Sequence, residues 1–393
     1  GIPGVKKIRV AFFAEILTED LDGAVRTMFQ LIKRIEPERF DFLFIYGSGP
    51  DTIGNFKSLK IPAISLPFVT SYAMALPMFA KKQMQQALHE FQPDVIHIAT
   101  PSLLGHWALH YAGQHHIPVI SIYHTHFISY TDYYFKHLPF LIKPVKKVLA
   151  QKHKAFYNSC DKIYVPSESI KQELNQIGID LHRMQLWKRG IDTDLFSPLK
   201  KDKRVVQQLT DNNRPAIMFA SRLVWEKNLE TLFAIYEQMQ SKHPEVNFLV
   251  AGNGTAFKAC RARMKNAIFT SKIDHSKLSI LYASADVFVF PSVSETYGNV
   301  VLEAMASGLP CVIADGGGSQ DFIKQGVNGF KCQPYNAADY VEKIEIILTN
   351  KVLKKHIVEE GLNYSRAFNW EELACTYFNN LQQLAKRTLL MAV

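Results

Sequence analysis

At 393 residues the chain is long for one domain and comfortable for two, and its 47% hydrophobic and 12% aromatic content excludes a disordered or fibrous protein. The formal charge of +9 suits an anionic ligand, a nucleic acid or an acidic membrane surface, and does not choose among them. Five cysteines, an odd number with no C-x-x-C pair, give no disulfide or zinc framework and favour a reducing compartment. No apolar run approaches the ~20 residues needed to span a bilayer.

The segment from Val5 to Phe13 reads as a first strand, Ile8–Ala14, and not as a secretory leader. A helix is expected from about Ala24 to Ile35, then strands at Phe40–Tyr46 and Ala63–Leu66 and a helix over Met74–Phe91. Strands follow at Asp94–Ala99 and Val119–Tyr123, with a helix from Leu103 to Gln114 between them. Lys162–Pro166 is the next strand, and Ser167 is placed to cap a helix over Glu168–Ile177. Leu199 to Pro215 is polar, charged and without an apolar period, so the domain boundary is placed near it. A second series begins at Ala216–Ser221. It continues through the helix Leu229–Gln240, the strands Val246–Ala251, Ala267–Thr270, Val287–Phe290 and Cys311–Ala314, and an extended piece at Gly329–Gln333. Helices Ala337–Leu348, Lys351–Ala367 and Trp370–Lys386 close the chain. Alternating strand and helix predict parallel sheets with right-handed crossovers, hence two doubly wound α/β domains with a cleft between them. Ligands are then expected on the loops after the strands.

The densest signal is the stretch Asp286 to Gly308. Pro291 ends the strand Val287–Phe290, a polar loop runs from Ser292 to Gly298, and a helix follows that Gly308 caps. Unpaired N–H groups and the positive end of the helix dipole suit phosphate there. Glu295 and Glu303 are set into this anion site, where a carboxylate repels a diphosphate but accepts hydrogen bonds from sugar hydroxyls. Either glutamate alone reads as an ordinary solvated residue. Both together, around Tyr297-Gly298-Asn299, point to a ligand that is both phosphate and sugar.

Glu295 and Glu303 fit an E-x7-E motif, and the surrounding residues from Ser294 to Pro310 resemble family 4 of the retaining GT-B glycosyltransferases. The resemblance covers nearly the whole chain and is strongest from Ala216 to Phe330. It implies a GT-B fold of two Rossmann-like domains: an acceptor-binding domain over 1–198, a nucleotide-sugar domain over 199–369, and a C-terminal helix, 370–393, crossing back to the first. It further implies that Arg222 and Lys227, two cations just past a strand end, clamp the donor diphosphate. Without the resemblance they read equally well as a solvated pair or as partners of Glu226. Glu303 would hold ribose hydroxyls and Glu295 the donor sugar, with Tyr297, Gly298 and the N–H groups of Asn299 and Val300 beside them. His124 ends a strand where the family keeps its active-site histidine, although a structural role is the plainer reading of any single histidine. Gly23 stands in the first loop, where the family often has two glycines and this chain has Asp22-Gly23. Gly252, Gly254, Thr270 and Ile273 lie in segments resembling the nucleotide-binding loops, with Ser271 where a glycine is usual.

The expected reaction is metal-independent transfer of a hexose, with retention, from a GDP-mannose or UDP-glucose type donor to a lipid or glycan hydroxyl. No cofactor and no metal is expected: Asp192-Thr193-Asp194 matches a D-x-D signature but lies in an interdomain turn and reads as structural. A sugar-nucleotide epimerase or phosphorylase on the same fold, or a non-catalytic sugar-nucleotide sensor, are the alternatives. A nucleic-acid partner has only net charge behind it. Aromatic and basic residues between Tyr130 and Asn158 suit the surface of an anionic membrane. The alternative is a helix whose lysines face water and whose aromatics pack inward, with Pro144 breaking the period. A cytoplasmic protein, peripheral on the inner face of the membrane, is the corresponding expectation.

Overall fold

The computed structural model describes residues 6–19, 23–65, 73–123, 137–188, 190–294 and 299–391. The chain divides into two compact units, one of 1–124, 146–187 and 371–393, the other of 125–145 and 188–370. The passage at Trp187/Lys188 lies upstream of the junction expected at 198/199. Ile191 and Phe196 explain this, because both are buried in the second core.

In the first unit, β1 (Ile8–Ile16), β2 (Phe40–Ser48) and β3 (Lys57–Lys60) precede a short antiparallel pair, β4 (Ala63–Ser65) and β5 (Ala73–Ala75). Then come β6 (Val95–Ile98), β7 (Val119–Ile122), β8 (Lys162–Val165) and β9 (Met184–Leu186). The sheet order is β3-β2-β1-β6-β7-β8-β9, with every ladder parallel. Its central strands are buried along their length, as a sheet covered on both faces requires. The helix expected over Met74–Phe91 is corrected. Pro77 opens a separate turn, Pro77–Phe79, so only Lys81–Phe91 is α-helical and Ala73–Ala75 pairs as a strand.

One device recurs where strands begin. Asp94, Asp161 and Asp286 each stand just before or within one residue of a strand, and each accepts from a backbone N–H on the neighbouring strand or its start: Arg9, Val119 and Ala216, at 2.9, 2.8 and 2.9 Å. Each also donates its own N–H to the carbonyl of that same residue. The carboxylate thereby satisfies an N–H that the ladder leaves over. Asp286 has this structural duty in full and also meets Lys354 at 3.4 Å.

The last helix, Trp370–Met391, packs on the first sheet through polar anchors set among aromatic rings. Trp187 donates its indole N–H to Leu373 O at 3.0 Å, Asn380 donates to Gln185 at 3.2 Å, and Thr388 donates to Asp94 O at 3.0 Å. His97, fully buried in β6, stacks on Phe12 at 4.1 Å and meets the Tyr377 hydroxyl at 2.7 Å. Burial pushes the His97 pKa down to about 3, so the ring is neutral at pH 7.

The second unit carries β10 (Ala216–Ala220), β11 (Asn247–Ala251), β12 (Ile268–Ser271), β13 (Val287–Phe290), β14 (Cys311–Ala314) and β15 (Phe330–Cys332). Their order is β12-β11-β10-β13-β14-β15, again all parallel. The polar stretch 199–215 is corrected too: it contains the helix Lys203–Thr210, capped by Asp202, with Val206 buried. Eight residues are too few for their apolar period to stand out from the charges around them. Helix Asn299–Ala306 ends as expected at Gly308, whose φ is +78°. Leu309 N–H reaches Ala304 O and Gly308 N–H reaches Met305 O, the paired bonds of a Schellman cap.

Helix Ile142–Asn158 runs through Pro144, a correction to the expected break. Proline at the third position removes only an N–H that the first turn leaves unpaired. Residues 137–158 carry no acidic side chain. Phe140 is 72% exposed and Val148 51%, and Lys143, Lys147, Lys152 and Lys154 are exposed as well. Phe156 and Tyr157 instead enter the first core. The aromatics Tyr130, Tyr133, Tyr134 and Phe135 lie outside the described residues. Among the described residues no helix is long and apolar enough to cross a membrane.

Candidate active site

The strand order of the second sheet reverses between β10 and β13, which opens a crevice at their carboxyl ends where doubly wound sheets bind ligands. The loops that leave β10, β11, β12 and β13 meet there. Arg222 lies in the first of them and is exposed. Lys227 closes the short turn Trp225–Lys227 and is only 7% exposed. A lysine that far from water is held in one place by its surroundings, unlike a solvated surface cation.

Asn228, next in the chain, ties the loop down. Its backbone is left-handed, with φ of +56°. Its side-chain amide donates to Pro291 O at 3.0 Å and to Pro334 O at 2.9 Å, and its carbonyl accepts from the Thr231 hydroxyl at 2.8 Å. One side chain thus joins the loop after β10 to the end of β13 and to the residues after β15. The sequence reading did not single it out. An asparagine at the junction of a basic turn and a helix was the available signal.

Gly252 and Gly254 have a packing reason. A Cβ on Gly252 would lie 1.9 Å from Ser221 O, and one on Gly254 would lie 2.4 Å from Leu223 O. The two loops are also laced by Leu223 N–H to Asn253 O at 2.9 Å and Ala256 N–H to Leu223 O at 2.8 Å. Gly252 N–H continues to Ser271 O at 3.1 Å. Ser271 has φ of +58°, which explains why glycine is usual there: a side chain in that conformation costs about 1–2 kcal/mol. Thr270 donates its hydroxyl to Ser271 O at 3.2 Å, and Ile273 packs against the second core.

On the fourth loop, Ser292 and Ser294 are buried with their hydroxyls 3.3 Å apart. Asn299 opens the helix, Val300 packs partly against the core, and Glu303 is 7% exposed among the buried Val301, Leu302, Ala304 and Met305. Glu295, Tyr297 and Gly298 lie outside the described residues, as does His124. Gly23 begins the helix Gly23–Ile32 of the first unit. The described residues of the second unit named from sequence therefore gather on adjacent loops at one end of one sheet. Among the described residues, no group of three or more His, Cys, Asp or Glu side chains could hold a metal ion.

The arrangement can do what its residue types allow. Arg222 and the buried Lys227 offer positive charge on the loop after β10, and helix Asn299–Ala306 follows β13 with its amino end at the same edge of the sheet, each a setting for an anion. Glu303, a turn further along, offers a carboxylate acceptor for hydroxyls.

The family described as glycosyl transferases group 1 matches residues 200–364, and glycosyltransferase family 4 matches residues 21–195. A GDP-mannose-dependent alpha-mannosyltransferase of Corynebacterium glutamicum is 29% identical over 333 residues, 83% of this chain and 76% of that protein. An alpha-monoglucosyldiacylglycerol synthase of Streptococcus pneumoniae is 26% identical over 324 residues, 79% of this chain and 71% of that protein. Among solved structures, sucrose-phosphate synthase from Thermosynechococcus elongatus superposes with a TM-score of 0.78 at 20% identity, covering 96% of this chain and 99% of that one. With two doubly wound units, the matching family regions lying one in each half, and the candidate residues on the loops of the second sheet, the chain belongs to the group 1 glycosyltransferases of the GT-B fold and is an enzyme of that class.

Proposed function

We propose that the enzyme transfers a hexose from a nucleoside-diphosphate donor to a lipid hydroxyl, with retention and without a metal ion. The observation that carries this reading is the convergence of Arg222, Lys227, the Gly252–Gly254 loop and the helix bearing Glu303 at the β10/β13 crevice. Two cations and a helix end neutralise the leaving diphosphate, which is the work a metal ion would otherwise do. The acceptor proton then passes to the departing phosphate oxygen on the same face of the sugar, and no protein nucleophile is required. The corynebacterial relative is named for an alpha product from GDP-mannose, itself an alpha-linked donor, which supports retention. The streptococcal relative is named for a glucosylated diacylglycerol, which supports a lipid acceptor. In this reading His124 of the first unit meets the donor sugar and acceptor, and Glu295 holds the sugar. Gly23, Thr270, Ile273, Tyr297 and Gly298 complete the donor contacts.

The test is a thermal-shift screen of UDP-, GDP- and ADP-sugars. One base should raise the melting temperature of the wild type, and Lys227→Ala should weaken binding of the matching diphosphate about tenfold or more, from loss of a charge-assisted contact. An unchanged titration counts against the clamp.

A peripheral membrane contact belongs to the same proposal. The exposed Phe140 and Val148, with four exposed lysines and no acidic residue over 137–158, suit an anionic surface, each cation contributing roughly 1 kcal/mol. The protein should cosediment with vesicles containing phosphatidylglycerol and lose that binding at high salt. Equal recovery on neutral and anionic vesicles would remove the charge argument.

A further inference from the structure

The first unit holds a buried carboxylate that the proposed reaction does not use. Glu15 lies near the carboxyl end of β1, at the point where the strand order of the first sheet reverses between β1 and β6, and is 5% exposed. Its Oε2 accepts the N–H of Ala75, in β5. Its Oε1 has no partner at full hydrogen-bond geometry. Burial is the larger influence and raises its pKa. Ser102, which caps helix Leu103–His115, and Leu104 at its start act to lower the carboxyl's pKa.

Two glycines bring the three elements together. A Cβ on Gly47 would lie 2.9 Å from the Ala75 Cβ and 3.0 Å from Glu15 O, so the β4–β5 hairpin rests directly on the end of β2. A Cβ on Gly105 would lie 2.0 Å from Thr100 O, so the first turn of helix Leu103–His115 is drawn down onto the end of β6. What they support is apolar. Ile64 on β4, Met78 and Phe79 just after β5, and Leu103 at the helix start are 47%, 47%, 72% and 45% exposed.

We infer that Glu15 is a positioning residue: it pins the β4–β5 pair beside the start of helix Leu103–His115 so that the exposed apolar side chains of both form one rim for the alkyl part of a lipid acceptor. The inference rests on the proposed reading that the first unit receives a lipid hydroxyl. The pin needs an oxygen that accepts from Ala75 N–H at this reach, and it does not need a negative charge. Glutamine therefore preserves it, leucine removes it, and aspartate is one methylene too short.

Two measurements on the full chain decide it. Hydrogen exchange reads the pin without any acceptor. In Glu15→Leu and Glu15→Asp the Ala75 amide should exchange about tenfold or more faster, with second-unit amides unchanged and Glu15→Gln close to wild type. Equal protection of Ala75 in wild type and Glu15→Asp, or a Glu15→Gln variant as unprotected as Glu15→Leu, overturns the pin. Kinetics then read the rim, with dioleoylglycerol in detergent micelles as acceptor and the donor selected by thermal shift. The acceptor KM should rise about tenfold in Glu15→Asp, with donor KM and kcat within about twofold of wild type and Glu15→Gln near normal. A fall in kcat with both KM values unchanged, or a weakened donor, overturns the positioning role. If the wild type transfers nothing to dioleoylglycerol, the lipid-acceptor reading and the rim fall with it, and the exchange result alone decides the pin.

Discussion

Glu303→Ala is expected to lower kcat/KM by at least about a hundredfold, because each hydrogen bond between an ionised carboxylate and a ligand hydroxyl contributes roughly 1.5–3 kcal/mol and a carboxylate holding the ribose through both its hydroxyls loses both bonds. The position makes the result informative. Glu303 is 7% exposed and flanked in the helix by Val301, Leu302, Ala304 and Met305, all buried. A carboxylate in such surroundings carries a desolvation cost that an apolar residue would not. Glu303→Gln separates charge from shape: it should retain the fold and lose most of the donor affinity, since a glutamine carbonyl accepts more weakly than a carboxylate. Turnover at the wild-type rate in Glu303→Ala, measured as release of nucleoside diphosphate, would take this residue out of the site.

Gly252→Ala is expected to cost about 3 kcal/mol or more of stability, by overpacking and by forcing a side chain into an unfavourable backbone conformation. Its φ is +133°, and the added carbon would meet Ser221 O at 1.9 Å and Ser221 C at 2.9 Å. Both neighbours are backbone, so no flexible side chain can swing away. Relief requires β10 and β11 to part where Ser221 N–H bonds to Ala251 O, at 3.1 Å. Arg222 is the next residue, so the same shift displaces one of the two proposed diphosphate cations. A melting temperature lowered by about 6–12 °C, at roughly 2–4 °C per kcal/mol, should accompany weaker diphosphate binding. A variant that melts with the wild type would contradict this packing.

Much of this site could be read from order along the chain. The run from Val287 to Phe290, Pro291, the polar loop and the glycine stop are local signals, and the structure has the strand, the helix and the left-handed cap in those places. The basic pair after β10 was visible for the same reason. Asn228 and Glu15 were not, because their partners lie far away in the chain: Pro291 and Pro334 for one, Ala75 for the other. Gly252 reads from sequence as a ligand contact, and the structure adds a packing role against Ser221. A glycine needed for close approach looks the same in sequence whether the neighbour is a phosphate or a carbonyl. The helix Lys203–Thr210 and the strand Ala73–Ala75 were missed because each is too short for its pattern to outweigh its surroundings.

Apolar periods and turn residues along the chain were enough to specify two series of alternating strands and helices, the chemistry of the Asp286–Gly308 stretch and the family it resembles. Those signals act over a few residues, through backbone propensity and burial of one face. Which strands become neighbours is set by long-range pairing between segments that carry no mark of each other. Only the tertiary structure decided that β10 lies beside β13 and β1 beside β6, and so which loops share a crevice and which side chains are buried beside it.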